Sequence, residues 1–281
     1  MEKFEFKCKK ERMLFDLIFE NKPNLNYSII KTILRKKDIK INGKKVSKNQ
    51  IVKENDKITI FLPEKKRKNV AIIYEDDKII IVHKPAGMET TKKDKTYENS
   101  DCLEDIFQGT FACHRLDKNT EGLIILAKSQ KVANQMKEVF KLKKIEKTYQ
   151  TIASGNVKDS ENLQDYLVKK ENKVQIFSKE VEDSKIIKTN YTKIAQKNDL
   201  FLLNVELLTG RTHQIRAHLA FHNIYVLGDS KYGNKEINKK YHAKIQLLCA
   251  TKIHFANMPD AFENLSNKTF ETTPNFSLEN I

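Results

Sequence analysis

The sequence of 281 residues contains only four cysteines, and no two of them form a Cys-x-x-Cys pair. Irregular spacing of this kind argues against a disulfide framework and against a zinc ribbon. No stretch approaches the about 18 apolar residues of a membrane-spanning helix, and the first residues, MEKFEFKCKKERM, lack the apolar core of a secretory signal. The sequence also lacks a phosphate-binding glycine loop and an internal repeat. We therefore expect a soluble, cytoplasmic protein with reduced thiols and no membrane partner.

Positive charge is concentrated near the N-terminus. Residues 1–68 contain 20 Lys and Arg against 9 Asp and Glu, so they carry +11 of the formal net charge of +15. A lysine bias of the whole proteome would spread the charge more evenly along the chain. A basic module attracts a polyanion, and nucleic acid is the commonest such partner. The charge distribution therefore predicts a basic N-terminal module that binds nucleic acid.

Residues 1–62 have the pattern of two helices and a small sheet. Apolar residues recur at helical spacing over about residues 11–20, and a second helix carries apolar positions from Ile29 to Leu34 with basic side chains on its outer side. The segment DIKINGKKV alternates around Asn42-Gly43, which is the strongest short hairpin signal. Residues 63–69, PEKKRKN, predict a charged linker.

Residues 70–256 are rich in strand patterns and contain few helical ones. The order favours an α+β fold, with a largely antiparallel mixed sheet flanked by helices, rather than a regular βαβ alternation. A small α/β domain at residues 1–62 would precede it. Residues 257–281 are polar and lack periodicity, so we expect them to form a loose C-terminal tail.

Two segments concentrate residues that can carry chemistry. In CHRLDKNTEGLIILAKS, residues 113–129, Asp117 stands just before a short buried strand, as in a turn or in an active-site loop. In LTGRTHQIRAHLAFHN, residues 208–223, helical spacing places Arg216 inside a helix that packs on the sheet. A buried guanidinium needs a carboxylate partner, and Asp117 is the candidate. From spacing alone, a purely structural ion pair is an equal alternative.

Taken together, these segments resemble the RluA-type pseudouridine synthases. HRLDKNTEGLIILAK resembles the family signature, usually H-R-L-D-x-x-T-S-G followed by an apolar strand. IIYEDDKIIIVHKPAGM, EKTYQTIASG, GRTHQIRAHLAFHNIYVLGDSKYG and LCATKIHF resemble further family motifs, in the family's order. The resemblance covers roughly residues 70–256. Residues 11–62 are similar to the small RNA-binding domain named after a ribosomal small-subunit protein, the S-four type.

The resemblance implies an enzyme that isomerises uridine in RNA without a cofactor or a metal. It makes Asp117 the essential carboxylate and Arg216 its partner. It makes Tyr149 the residue that stacks on the uracil, with assistance in removing the proton from the base as a second implied role. It favours large-subunit ribosomal RNA as substrate over transfer RNA, and we expect a monomer. An inactive, ribosome-associated RNA-binding protein is the alternative from another functional class. The predicted RNA-binding residues are Arg115, His114, Arg211 and His213, with Lys31, Arg35, Lys36 and Lys44 in the small domain.

Three local features bear on this interpretation. Glu121 stands where the family commonly has Ser; it could raise the pKa of Asp117, but we expect it to point to solvent. The segment METTKKDKTYENSD, residues 88–101, lacks the usual His-Pro and is short, so the resemblance does not extend to the RNA contacts of this loop. His218 and His222 lie one helical turn apart, but no Glu or Cys nearby in the sequence completes a ligand set, so we predict no metal site.

Overall fold

The computed structural model describes residues 2–23, 25, 27–62, 69–91, 102–171 and 173–281. The described residues form two compact units, one within residues 1–68 and one comprising 69–91 and 102–281. Residues 63–68 of the predicted linker lie outside the described residues. Among the helices of the described ranges, none is long and apolar enough to cross a membrane.

The first unit is a small sheet with two amphipathic helices. Its larger sheet has the antiparallel order β1-β6-β3-β4, and β2 pairs with β5. Asn42 and Gly43 join β3 to β4 with φ angles of 49° and 82°, as a two-residue hairpin requires. The elements are β1 (Glu2–Lys7), β2 (Arg12–Met13), α1 (Leu14–Asn21), α2 (Tyr27–Arg35), β3 (Ile39–Ile41), β4 (Lys44–Lys45), β5 (Ile51–Val52) and β6 (Lys57–Leu62).

The second unit is built on one large sheet. Its strand order is β13-β12-β14-β15-β11-β17-β10-β8-β7, with β16 added to β11, β18 to β17 and β9 to β10. The strands are β7 (Ala71–Glu75), β8 (Ile79–Lys84), β9 (Phe111–Ala112), β10 (Glu121–Ala127), β11 (Ile145–Gly155), β12 (Ser160–Lys169), β13 (Val174–Phe177), β14 (Lys185–Lys197), β15 (Leu200–Leu207), β16 (Ile224–Val226), β17 (Leu248–Phe255) and β18 (Thr269–Glu271). The helices are α3 (Leu103–Ile106), α4 (Gln130–Lys141), α5 (Gln214–Phe221) and α6 (Lys235–Lys240).

Pairing within this sheet is antiparallel except between β10 and β17. The predicted fold, a large and mostly antiparallel sheet with few helices, is therefore confirmed. Strand β10 is buried along its whole length because both faces of the sheet are covered there. Helix α4 packs with Leu123 and Ile125, while Ile124 and Leu126 belong to the core that contains residues of α5.

The expectation of a loose tail at residues 257–281 is wrong. Phe262 and Leu265 are buried in a 3₁₀-helix, Asp260–Leu265, and β18 pairs with β17. Near the end of the chain, the Lys197 ammonium donates to the carbonyls of Leu278, Glu279 and Ile281 at 3.0–3.3 Å. The buried residues of this segment lie in separate short elements. No single helical or strand periodicity therefore runs through its sequence.

Candidate active site

Asp117 lies in the loop that precedes β10, and buried groups hold this loop on both sides. Thr90 Oγ1 donates to the Leu116 carbonyl at 3.2 Å, and the Lys118 carbonyl accepts from the Lys84 ammonium at 3.1 Å. Lys84 itself is fully buried, and its ammonium also donates to the Met88 carbonyl at 2.8 Å. The loop is therefore held on either side of Asp117, whose side chain remains 25% exposed.

Arg216 joins two carboxylates. From inside α5 its Nη1 donates to Asp117 Oδ2 at 2.6 Å, while Nε and Nη2 donate to the two oxygens of Asp229 at 2.7 and 2.9 Å. The Tyr232 ring lies 5.3 Å from the guanidinium carbon. Burial disfavours the charge, but the hydrogen bonds and charges of Asp229 and then Asp117 outweigh it, so the pKa of Arg216 is raised.

Asp229 is the buried anchor of this arrangement. Its side chain has no exposed area, and Oδ1 also accepts from the backbone N–H groups of Lys231 and Tyr232 at 2.8 and 3.2 Å. Desolvation alone would raise the pKa of Asp229, but the Arg216 hydrogen bond and charge lower it below its ordinary value. The bidentate pair fixes the guanidinium plane. Arg216 therefore presents Nη1 to Asp117 in one orientation.

Tyr149, on β11, is close enough to the same carboxylate to interact with it electrostatically. The residue is 5% exposed, and burial, followed by the charge of Asp117, raises the pKa of its hydroxyl. The phenol is therefore protonated at neutral pH. The three predicted catalytic residues thus meet at one place: Asp117 from a loop, Tyr149 from β11 and Arg216 from α5.

The predicted RNA-binding residues divide into several groups. His213 lies beside the site, with Nε2 3.9 Å from Asp117 Oδ1 and Nδ1 3.0 Å from the Tyr232 hydroxyl. His114 is part of the fold: its Nε2 accepts from the Ile125 N–H at 3.1 Å, and burial, then the Lys147 charge, lowers its pKa to about 3. The remaining predicted residues are all exposed: Arg115 and Arg211 in the second unit, and Lys31, Arg35, Lys36 and Lys44 in the first.

Residues 78–221 match the RNA pseudouridylate synthase family, and this range includes Asp117, Tyr149 and Arg216. The chain belongs to this family. Its members are isomerases, so the predicted enzyme class is confirmed. A chain from Rickettsia bellii, "Ribosomal large subunit pseudouridine synthase C", is 31% identical over 76% of this chain and 80% of its own length. A chain from Mycoplasma capricolum, "Uncharacterized RNA pseudouridine synthase", is 30% identical over 95% of both.

Two solved human structures share the fold of this pseudouridylate synthase family member. "Human RNA Pseudouridylate Synthase Domain Containing 1" superposes with a TM-score of 0.58 at 20% identity, over 78% of this chain and 95% of its own. "Human RNA Pseudouridylate Synthase Domain Containing 4" gives a TM-score of 0.57 at 20% identity, over 73% and 88%. At this level of identity the likeness is one of fold.

Sequence reasoning missed Asp229 and Tyr232, the two residues that orient Arg216. Asp229 lies 13 positions after Arg216 and falls in no helical or strand pattern of the sequence. The sequence did contain one signal, a glycine, Gly228, that ends an apolar run just before a single aspartate. In the structure Gly228 has a φ of 80°. A buried guanidinium can satisfy two carboxylates at once, whereas the sequence pattern indicated only Asp117.

Glu121, expected to point to solvent, is buried. It is 5% exposed, and its two oxygens accept from the backbone N–H and the side-chain amide of Asn275, both at 2.8 Å. The partner lies 154 positions away in the C-terminal segment, so no local pattern could reveal it. Glu121 therefore fastens the C-terminal segment to the start of β10.

We expect Glu121→Ala to lower the free energy of unfolding by about 1 to 3 kcal/mol, because it removes two charge-assisted hydrogen bonds. Urea unfolding followed by far-UV circular dichroism measures this, and limited proteolysis should cut the C-terminal segment faster. Glu138→Ala is the matched control, because Glu138 is an exposed residue of α4 whose carboxylate pairs with Lys141. Equal stability of both variants would show that the Asn275 contact contributes nothing.

Proposed function

We propose that this enzyme converts specific uridines of large-subunit ribosomal RNA into pseudouridine. The observation that carries the proposal is the partly exposed Asp117, which is held by a buried guanidinium and interacts electrostatically with the buried Tyr149. A protein that only binds RNA has no need for a carboxylate facing a polyanion. The names of several relatives, including those from Rickettsia bellii and Rickettsia typhi, support large-subunit RNA as the substrate.

The reaction conserves all atoms and needs no oxidant. The bond between N1 of the uracil and C1′ of the ribose breaks, the base rotates, and C5 bonds to C1′. The C5 proton then leaves and N1 gains one. Asp117 acts on the nucleotide either as nucleophile or as the base that releases the uracil. Both routes need an ionised carboxylate in a fixed position, and the hydrogen bond from Arg216 Nη1 holds Asp117 Oδ2 in place.

The target uridine must leave the base stack to reach Asp117. We propose that Arg115, exposed two positions before Asp117, occupies the space that the flipped base leaves in the RNA. His213 borders the site at the N-terminus of α5, and Arg211 is exposed two positions before it, so both are placed to contact the flanking RNA. His114 connects the loop to β10, because its Nε2 accepts a hydrogen bond from the Ile125 N–H.

Tyr149→Phe separates stacking from proton transfer. The phenyl ring can still stack on the uracil. The substitution removes the Tyr149 hydroxyl, which its raised pKa keeps protonated in the parent. We expect RNA binding to stay unchanged and single-turnover rates to fall by roughly 10²- to 10⁴-fold, as for loss of a general acid–base group. A rate within a few-fold of the parent would restrict Tyr149 to stacking.

We further propose that the first unit is an S-four-like RNA-binding domain that holds the substrate. Its residues carry most of the net positive charge, and α2 ends in a basic turn. The exposed cations of α2, of the turn after it and of the β3–β4 hairpin supply phosphate contacts that are independent of base sequence. These four side chains are Lys31, Arg35, Lys36 and Lys44.

Replacing these four cations by Gln should weaken RNA binding and leave the chemical step intact at saturating RNA. Removal of each phosphate contact reduces the slope of log affinity against log salt by roughly 0.7 to 0.9, so we expect a flattening of about 3 units. The control variant replaces four exposed lysines of the second unit, Lys131, Lys141, Lys239 and Lys240. If both variants change the slope equally, the first unit contributes only general charge.

The proposed function is tested with purified full-length enzyme and unmodified RNA made by transcription. We expect pseudouridine at one or a few uridines of large-subunit ribosomal RNA, detected by carbodiimide adducts and reverse transcription. Conversion of transfer RNA alone would overturn the proposed substrate. No conversion of either RNA, by protein whose circular dichroism shows it to be folded, would overturn the proposed function.

A further inference from the structure

A second cluster of titratable side chains lies on the opposite side of α5 from the guanidinium of Arg216. Asp165, on β12, places Oδ2 3.0 Å from His218 Nε2 and 2.6 Å from His222 Nε2. One ligand atom from each residue lies within 4.8 Å of the others. Three donors that suit a transition metal therefore converge on one point.

The secondary structure creates this convergence. His218 and His222 are spaced i and i+4, which puts both rings on one face of α5. Strand β12 runs where that face meets the sheet and supplies Asp165. The side chains of His218 and Asp165 are 0% and 6% exposed, whereas His222 is 31% exposed. The cluster is thus closed toward the core and open to solvent on the side of His222.

The buried imidazole is oriented by a contact of its own. His218 Nδ1 lies 2.9 Å from the hydroxyl of Thr189, a fully buried residue of β14. Metal-binding histidines almost always engage their second ring nitrogen in this way, which fixes the tautomer and aims the other nitrogen at the ion. Glu161 interacts electrostatically with His222, which adds negative charge near the open side.

We propose that Asp165, His218 and His222 bind a divalent transition-metal ion of the Zn²⁺ type. Zinc bonds to imidazole nitrogen and carboxylate oxygen are about 2.0–2.2 Å, so tetrahedral ligands lie roughly 3.3 Å apart. The separations of 3.0 and 2.6 Å need only widen by less than about 1 Å, which rotation of the partly exposed His222 allows. Water completes the coordination on the open side.

The ion would tie α5 to β12 and so stabilise the helix that carries Arg216. It takes no part in the isomerisation, because Arg216 turns its guanidinium to Asp117 and Asp229. This inference contradicts the prediction of no metal site. That prediction rested on ligands close to the histidines in sequence, whereas Asp165 lies 53 positions from His218.

The test uses full-length protein stripped with a chelator, titrated with ZnCl₂ by calorimetry and with CoCl₂ by visible absorption. We expect one ion per chain, a Co²⁺ band of a bound site and a melting temperature raised by Zn²⁺. His222→Gln should weaken binding by at least about 100-fold, since loss of an outer contact alone costs 10- to 100-fold. The described cysteines are all buried and offer no competing exposed site.

His242→Asn is the matched control, because it removes an exposed imidazole outside the cluster and Asn tolerates the local φ of 50°. It should bind both ions as the parent does. Asp165→Asn should lose binding, with circular dichroism as the check on folding. Absence of saturable binding by the parent would overturn the proposal. Binding that survives in His222→Gln would do the same and leave the cluster a hydrogen-bonded triad.

Discussion

We expect Asp117→Asn to form no measurable pseudouridine while its fold and its RNA affinity stay close to those of the parent. The amide keeps the size of the carboxylate and can still accept from Arg216 Nη1. It loses the negative charge and the nucleophilic, basic oxygen that either route requires. Because the side chain is 25% exposed, its neutralisation should change stability far less than it changes turnover.

The measurement is single-turnover conversion of an RNA fragment at saturating enzyme, beside filter binding of the same RNA. Asp159→Asn is the matched control, since it makes the same exchange at a side chain that is 92% exposed. It should behave as the parent. Turnover by Asp117→Asn above the level of any deamidated protein, verified by mass spectrometry, would remove Asp117 from the chemistry.

Arg216→Met should be the most destabilising single change in the site. The side chain of Asp229 has no exposed area, and the substitution leaves this buried carboxylate without its cation. Breaking a buried ion pair in this way costs about 3 to 5 kcal/mol. Turnover should fall as well, because Asp117 loses its positioning donor. The chain contains no tryptophan, so urea unfolding is best followed by far-UV circular dichroism.

A double-mutant cycle separates the loss of the ion pair from the loss of packing. Arg216→Met leaves the Asp229 carboxylate buried without a partner, and Asp229→Asn removes that negative charge. The double variant should therefore lose less free energy of unfolding than the two single variants together, by at least about 1 kcal/mol. The exposed pair Lys240 and Asp199, changed to Met and Asn, provides the control and should show much weaker coupling, because solvent screens an exposed pair. Additive effects at Arg216 and Asp229 would show that the contact between them does not contribute to the free energy of unfolding.

The sequence predicted structure correctly where the pattern of one segment determines the structure of that same segment. The apolar run of β10 and the Asn42-Gly43 hairpin follow from local chemistry, and the large antiparallel sheet follows from the strand-rich order. The pairing of Asp117 with Arg216 was reached differently. A buried guanidinium needs an anion, and the family resemblance pointed to one that lies 99 positions away.

What the sequence could not reveal depends on contacts between distant segments. Glu121 is buried only because Asn275 returns to it, and Asp165 completes a cluster only because β12 lies against α5. Asp229 carries no periodicity, and its role depends on the orientation of one guanidinium. In each case, a polar residue that local sequence would leave in water is satisfied by a partner supplied by the tertiary fold.

The most direct measurement compares pseudouridine maps of large-subunit ribosomal RNA from cells that lack this gene, from their parent, and from the deletion strain complemented with the parent enzyme or with Asp117→Asn. We predict that one or more uridines lose the modification in the deletion strain. The parent enzyme should restore every one of them, and Asp117→Asn should restore none. Identical maps in the deletion strain and its parent, or restoration by Asp117→Asn, would contradict the account.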